Sequence, residues 1–141
     1  MNLKITFNGT GTSQGVPVIS CTCLVCNSKD PRDRRLRTSI LIEDHQTSVC
    51  IDAGPDFRQQ MLKVHQKRLD AIVLTHEHKD HLAGLDDVRA FNYTMGQSMP
   101  VFAHQRVIEA LRREFSYVFE NPNYPGLPQF ELMPINNRPF K

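Results

Sequence analysis

The sequence predicts an α/β fold in which strands and helices alternate around a layered sheet. A β-branched apolar run at 70–75 has the pattern of a strand buried on both faces. It is flanked by the amphipathic stretches 56–65 and 105–119, which favour helices. Alternation of strand-like and helix-like segments is typical of the α/β class. The 141 residues have the length of one ordinary domain, so 1–141 is expected to form a single core.

The first half of the chain predicts a small antiparallel unit. Residues 3–7 alternate apolar and polar side chains, as in a half-buried strand. The apolar runs 38–43 and 48–52 are joined by the polar turn 44–47, which predicts a hairpin. Asp56 lies at the start of the first amphipathic stretch, where capping and the helix dipole favour a carboxylate.

The second half predicts further alternation. The spacing of apolar residues is near-helical over 105–119, and His104 is expected in the cap region of that helix. The remaining expected elements are a helix over 84–93, strands over 99–103 and 130–135, and a loop over 121–128 that is rich in proline.

Composition excludes several classes of protein. The chain has 17 Lys and Arg against 15 Asp and Glu, and a net charge of +2 gives no reason to expect a nucleic-acid surface. No apolar stretch approaches the length of a membrane span, and the start lacks the apolar core of a signal peptide. We therefore expect no membrane association and a cytoplasmic location.

The segment His76-Glu77-His78-Lys79-Asp80-His81 places four metal-ligating side chains directly after the buried strand. Imidazole and carboxylate are ordinary ligands of first-row metals at neutral pH. His76 and His78 are two residues apart, so in extended backbone both rings project to one side and suit one ion. Asp80 and His81 point elsewhere and suit a second ion. A histidine-rich loop without a metal is the alternative.

Three cysteines form a second candidate metal site. Cys21, Cys23 and Cys26 lie within six residues, which suits convergence on a structural zinc ion. The fourth ligand would be His45, His65, His104 or a residue outside this chain. Reduced thiols in a turn, or a redox-active cluster, are the alternatives. Cys50 stands in a strand-like run and is expected in the core.

With these motifs, the sequence resembles the metallo-β-lactamase superfamily of H-x-H-x-D-H hydrolases. The resemblance also includes Gly9-Thr10-Gly11, the strand 37–42, the segment Ile51-Asp52-Ala53-Gly54 and the run Gly84-Leu85-Asp86-Asp87. With the cysteine cluster, the set is similar to the branch that contains phosphoribosyl cyclic phosphodiesterase, a relative of ribonuclease Z.

The resemblance implies a four-layer αββα sandwich, of which this chain would supply roughly the N-terminal half. It implies that His76 and His78 bind one metal ion and that Asp80 and His81 bind another, with Asp80 also orienting the attacking water. Asp52 would lie beneath the site and order the ligand loop. The three cysteines would hold a structural zinc ion. The family also uses a later histidine, aspartate and histidine, and no such set follows His81.

The expected function is therefore metal-dependent hydrolysis of a small cyclic or nucleotide-like phosphate ester. Two zinc ions are the expected cofactors at the active site, with manganese or iron as alternatives. An RNA-processing nuclease of the same fold is a second hypothesis, and a noncatalytic metal-binding half-fold is a third. Because a half-covered sheet would expose apolar surface, a homodimer is an expected assembly.

Overall fold

A computed structural model describes residues 2–121, 124–136 and 138–139, and its centre is one six-stranded sheet. The strands lie in sequence order and are β1 (Lys4–Gly9), β2 (Ser39–Glu43), β3 (Ser48–Ile51), β4 (Ala71–Val73), β5 (Met99–His104) and β6 (Phe130–Ile135). The α-helices are α1 (Phe57–Lys63), α2 (Lys79–Leu82), α3 (Arg89–Met95), α4 (Gln105–Glu114) and α5 (Ser116–Glu120). Short 3₁₀ turns occupy Pro31–Asp33 and Leu85–Val88. The predicted α/β class and the hairpin of β2 and β3 are confirmed.

Strand direction explains why the helices cover one face of the sheet. β1, β2 and β3 pair antiparallel, whereas β3, β4, β5 and β6 pair parallel through helical connections. Such connections are nearly always right-handed, so three of them running in one direction place their helices on the same side. Alternate strand residues, including Leu41, Ile72 and Val101, are fully buried there in one core with Phe57 and Leu111 of the helices.

The opposite face carries a continuous apolar row, one residue from each strand in register. The row consists of Phe7, Ile40, Ile51, Val73, Phe102 and Met133. All six are half-buried or exposed, with Phe7 at 66% and Met133 at 36%. The predicted strand over 3–7 is confirmed by β1, but the expectation that its apolar side chains are the buried ones is wrong, because Leu3, Ile5 and Phe7 are all more than half exposed.

Two helix predictions are corrected. The stretch 105–119 is not one helix, since Phe115 has φ −114° and ψ 36° and separates α4 from α5. This break accompanies burial of Phe115, whose ring packs edge-on against Phe130 at 6.1 Å. The stretch 84–93 is a 3₁₀ turn followed by α3. In the predicted loop 121–128, the described residues form no helix or strand, and 122–123 lie outside the described residues.

The helices of the described residues are too short to cross a membrane; α4, with ten residues, is the longest of them.

The apolar row predicts self-association of the 141-residue polypeptide. Contiguous exposed apolar surface favours contact with another such surface. Sedimentation velocity is expected to show dimers or larger species, and Phe7→Lys is expected to weaken association by about 2 kcal/mol, because burying one phenylalanine contributes that much. Tyr93→Lys is the control, since Tyr93 is 67% exposed but belongs to α3. A strictly monomeric polypeptide, or an equal effect of both variants, would contradict the prediction.

Candidate metal centre

The candidate metal ligands lie where β4 ends and α2 begins. His78 keeps extended backbone angles, φ −69° and ψ 148°, and occupies the N-cap position of α2. Helix α2 begins at Lys79, so Asp80 and His81 lie in its first turn, earlier than the predicted helix start near 82–84. β3 runs parallel to β4 and ends beside it, which brings Asp52 to the same edge. The carboxyl ends of parallel strands are the usual location of sites in α/β sheets.

The structure brings the three imidazoles of the motif together. The ring centroids of His76 and His78 are 4.6 Å apart, as the two-residue spacing predicted. The His81 ring lies still closer to His76, at 4.0 Å, although the sequence argument placed it in another direction. His81 Nε2 is 3.2 Å from Asp80 Oδ2. The first turn of α2 thus places the His81 ring beside His76 at the end of β4.

The Asp52 carboxylate contacts both Thr75 and His81 of this cluster. Its side chain is buried, and its Oδ1 accepts a hydrogen bond from the Thr75 backbone N–H at 2.8 Å. Its Oδ2 accepts from the Thr75 hydroxyl at 2.8 Å and contacts His81 Nδ1 at 2.7 Å. A carboxylate can only accept, so His81 Nδ1 carries a proton toward Asp52, and Nε2, 3.2 Å from Asp80 Oδ2, is the nitrogen that faces the candidate metal position.

Thr75 extends the same arrangement to His76. Its hydroxyl donates to Asp52, and its oxygen is 3.0 Å from His76 Nδ1. The hydroxyl proton is already used, so His76 Nδ1 donates and its Nε2 is also available. The sequence argument assigned no role to Thr75. Its position between the buried strand and His76 is the sequence feature that could have identified this role.

The backbone of Asp52 is held in a left-handed conformation, with φ +60°. This conformation costs an L-residue about 1 kcal/mol, although aspartate tolerates it better than most. Its N–H donates to Val73 O at 2.9 Å, and its carbonyl accepts from the Ser39 hydroxyl at 3.0 Å. These contacts fix the turn that points the carboxylate at Thr75 and His81.

Two glycines allow the Asp52 turn and α2 to touch. A Cβ at Gly54 would lie 1.9 Å from Asp80 O, and a Cβ at Gly84 would lie 2.0 Å from Gly54 O. The contact is closed by hydrogen bonds from Ala53 N to His81 O at 2.8 Å and from Gly84 N to Ala53 O at 2.9 Å. The helix that carries Asp80 and His81 therefore rests directly on the backbone that carries Asp52.

The predicted placement of Asp56 at the start of α1 is confirmed, but its side chain does not cap the helix. Asp56 occupies the N-cap position without a side-chain cap bond. Its carboxylate instead accepts from the Arg37 backbone N–H at 2.8 Å and from Arg37 Nη1 at 3.0 Å. Arg37 is long and cationic, so it satisfies both carboxylate oxygens at once. Asp56 thereby ties α1 to the segment before β2.

The cysteine cluster has the compactness of a metal site. The sulfur atoms of Cys21, Cys23 and Cys26 all lie within 4.8 Å of one another. Within the described part of the chain, three donors of the histidine and aspartate motif do not meet this spacing together, and the assignment of these residues to two ions stays a prediction. His104 caps α4, accepting from Arg106 N at 3.4 Å. The identity of a fourth ligand stays a prediction.

The Cys23 thiol of the cluster differs in acidity from the buried Cys50. A hydrogen bond from the Cys26 backbone N–H, with contributions from the Cys21 and Cys26 thiols, lowers the pKa of Cys23 to about 7. Burial raises the pKa of Cys50 to about 11. Cys50 is fully buried, as predicted.

Replacing Asp52 with asparagine is expected to weaken zinc binding by roughly 10-fold to 100-fold, the usual effect of losing a carboxylate that orients a histidine ligand. Asparagine tolerates the left-handed backbone, so the fold should survive. Zinc dissociation constants from chelator competition provide the measurement. Asp70→Asn is the control, because Asp70 accepts from Ser48 N and Arg68 Nε before β4 begins. Equal affinities for both variants and the parent would contradict this role of Asp52.

Alkylation of the reduced, metal-free chain is expected to distinguish Cys23 from Cys50. The thiolate is the reactive form, so a pKa lowered from 9.0 to about 7 shifts the rise in Cys23 labelling to near pH 7. Cys50 should stay unlabelled at that pH, because its thiol is buried and protonated. Iodoacetamide labelling followed by peptide mass spectrometry measures both. A rise for Cys23 only near pH 9 would refute the assigned hydrogen bonds.

Known proteins share this sequence and architecture over part of their length. A protein named octanoyltransferase from Porphyromonas gingivalis is 44% identical over 135 residues, which cover 94% of this chain and 27% of that protein. The crystal structure of a diphosphatase from the PhnP family is 40% identical with a TM-score of 0.90, and the match covers 100% of this chain and 53% of that one. The Zn²⁺-bound crystal structure of PqqB from Methylobacterium extorquens shares the fold, at 21% identity and a TM-score of 0.70, over 94% of this chain and 46% of that one.

The chain thus spans about a quarter of that curated relative and about half of each of the two solved structures. Residues 47–140, from β3 through the ligand motif to β6, match the beta-lactamase superfamily domain. The chain therefore belongs to the metallo-β-lactamase superfamily.

Proposed function

We propose that this chain supplies one half of a dinuclear metal centre that hydrolyses a small cyclic or nucleotide-like phosphate ester. The superfamily consists generally of metal-dependent hydrolases. The observation that carries the proposal is the contact of Asp52 with His81, directly and through Thr75 with His76. A network that contacts Nδ1 of two histidines and leaves Nε2 as the nitrogen directed away from it is suited to metal binding.

The donor set fits two divalent ions. His76 and His78 would hold one ion, and Asp80 and His81 would hold the other. Zinc suits a site rich in imidazole, and manganese or iron are alternatives. When bound, such ions lower the pKa of water and polarise a phosphoryl oxygen. Asp80 would accept a hydrogen bond from the attacking water and orient it, while Asp52 holds the His81 ring in its orientation.

Two observations support a small phosphate ester as the substrate class. The diphosphatase of the PhnP family, which acts on a phosphoryl group, is 40% identical over the whole chain. The net charge of +2 offers little attraction for a long RNA, whose binding depends on many phosphate contacts. A small ester is therefore favoured over RNA.

Further ligands would come from outside the motif. His104 is the only histidine after His81 in the sequence, and its Nδ1 accepts from the α4 backbone. Each ion would therefore receive two protein ligands from this chain. In this proposal water or residues outside the motif complete the coordination of each ion.

Metal content and hydrolysis test the proposal together. Zinc-loaded protein is expected to hydrolyse bis-(p-nitrophenyl) phosphate and a cyclic ribose phosphate. Asp80→Asn should lower the rate by about 100-fold, since positioning a proton acceptor contributes at least that much. His65→Ala is the control, because His65 is exposed beyond the end of α1. Metal binding without turnover would favour a noncatalytic metal-binding module, and absence of metal binding would reject both functions.

A further inference from the structure

We propose that Arg106 is a positioning residue for the metal-binding loop and acts through Glu77, with Glu114 and Lys79 forming a second, weaker tie. This inference rests on the proposed function, because it concerns how the same loop is held. Glu77 and Lys79 are the two members of the motif that separate successive ligands. Neither is assigned to a metal ion.

Both residues contact the same helix. Glu77 Oε2 lies 3.4 Å from Arg106 Nη2, near the start of α4. Lys79 Nζ pairs with Glu114 Oε2, at the end of α4. Eight residues separate Arg106 from Glu114, which is about 12 Å along the helix. The helix thus places a cation, Arg106, beside Glu77 and an anion, Glu114, beside Lys79.

Helix α4 is a rigid support for these contacts. Val107, Ile108 and Leu111 are buried in the core. Its start is capped by His104, whose Nδ1 accepts from Arg106 N at 3.4 Å. Arg106 therefore extends from a fixed backbone at the edge of the sheet where β5 ends. The loop is extended at His78, and the side chains on either side of His78 make its ion pairs with α4.

The two pairs are similarly exposed, since the Arg106 and Glu77 side chains are 68% and 33% exposed, and what distinguishes the Glu77 pair is one buried carboxylate oxygen. Glu77 Oε2 is buried and has no hydrogen-bond partner among the described residues, so the Arg106 guanidinium at 3.4 Å is the charge that offsets it. A buried carboxylate oxygen without a compensating charge is costly. Without Arg106, the loop would turn Glu77 toward water and carry His76 and His78 with it. Lys79 and Glu114 are 64% and 41% exposed, and exposed pairs contribute little.

Zinc titration followed by NMR of the histidine rings tests the inference, because these signals report on the loop and not on the cysteines. Arg106→Gln is expected to weaken zinc binding at His76 and His78 by about 10-fold. Arg106→Lys should restore most of the affinity. Arg113→Gln is the matched control, since Arg113 is an exposed arginine of the same helix without a contact to the loop among the described residues. It should bind zinc as the parent does.

A double variant separates positioning from general stability. Glu77→Gln combined with Arg106→Gln should bind zinc no more weakly than Arg106→Gln alone, because the buried charge has been removed. Additive losses, or equal affinities for Arg106→Gln and Arg113→Gln, would overturn the inference. If the parent protein shows no zinc-dependent shifts, the proposed function fails. The inference is then decided in metal-free protein, where Arg106→Gln must move the His76 and His78 signals and Arg113→Gln must not.

Discussion

The carboxylate of Asp52 is the constraint on which the arrangement of this site depends. It ends a buried strand in a left-handed turn, accepts two hydrogen bonds from Thr75 and contacts Nδ1 of His81. One side chain thereby orients the loop after β4, the ring of His81 and, through Thr75, the ring of His76. The backbone strain at Asp52 is local and small compared with the contacts that maintain it.

The scaffold makes this constraint effective by bringing distant segments into contact. Parallel pairing of β3 and β4 places Asp52 and the ligand loop at one edge. Gly54 and Gly84 remove the side chains that would keep α2 away from the Asp52 turn. Helices on one face provide the core, while the apolar row on the other face remains half-buried or exposed. With its helices on one face, the sheet places the candidate metal ligands at one edge. Its other face remains suited to packing against another apolar layer.

Local patterns predicted the parts of the molecule that depend on local sequence. The hairpin followed from two apolar runs around a polar turn, and the candidate ligand loop followed from a β-branched run before four residues of metal-ligating type. The compact cysteine cluster followed from its spacing. Other features depend on residues far apart in sequence, such as the pairing of Asp56 with Arg37 and of Glu77 with Arg106. The break at Phe115 also escaped prediction, because helical periodicity continues through it and only packing against Phe130 distinguishes it.

Anomalous diffraction from zinc-soaked crystals tests the central claim most directly, because it locates the ions and the nitrogen atoms that bind them. The account predicts one ion about 2.1 Å from Nε2 of His76 or His78, and a second at the same distance from Nε2 of His81 and beside the Asp80 carboxylate. Asp52 should still contact His81 Nδ1. Ligation of an ion through His81 Nδ1, or zinc bound only at the cysteines, would contradict the account.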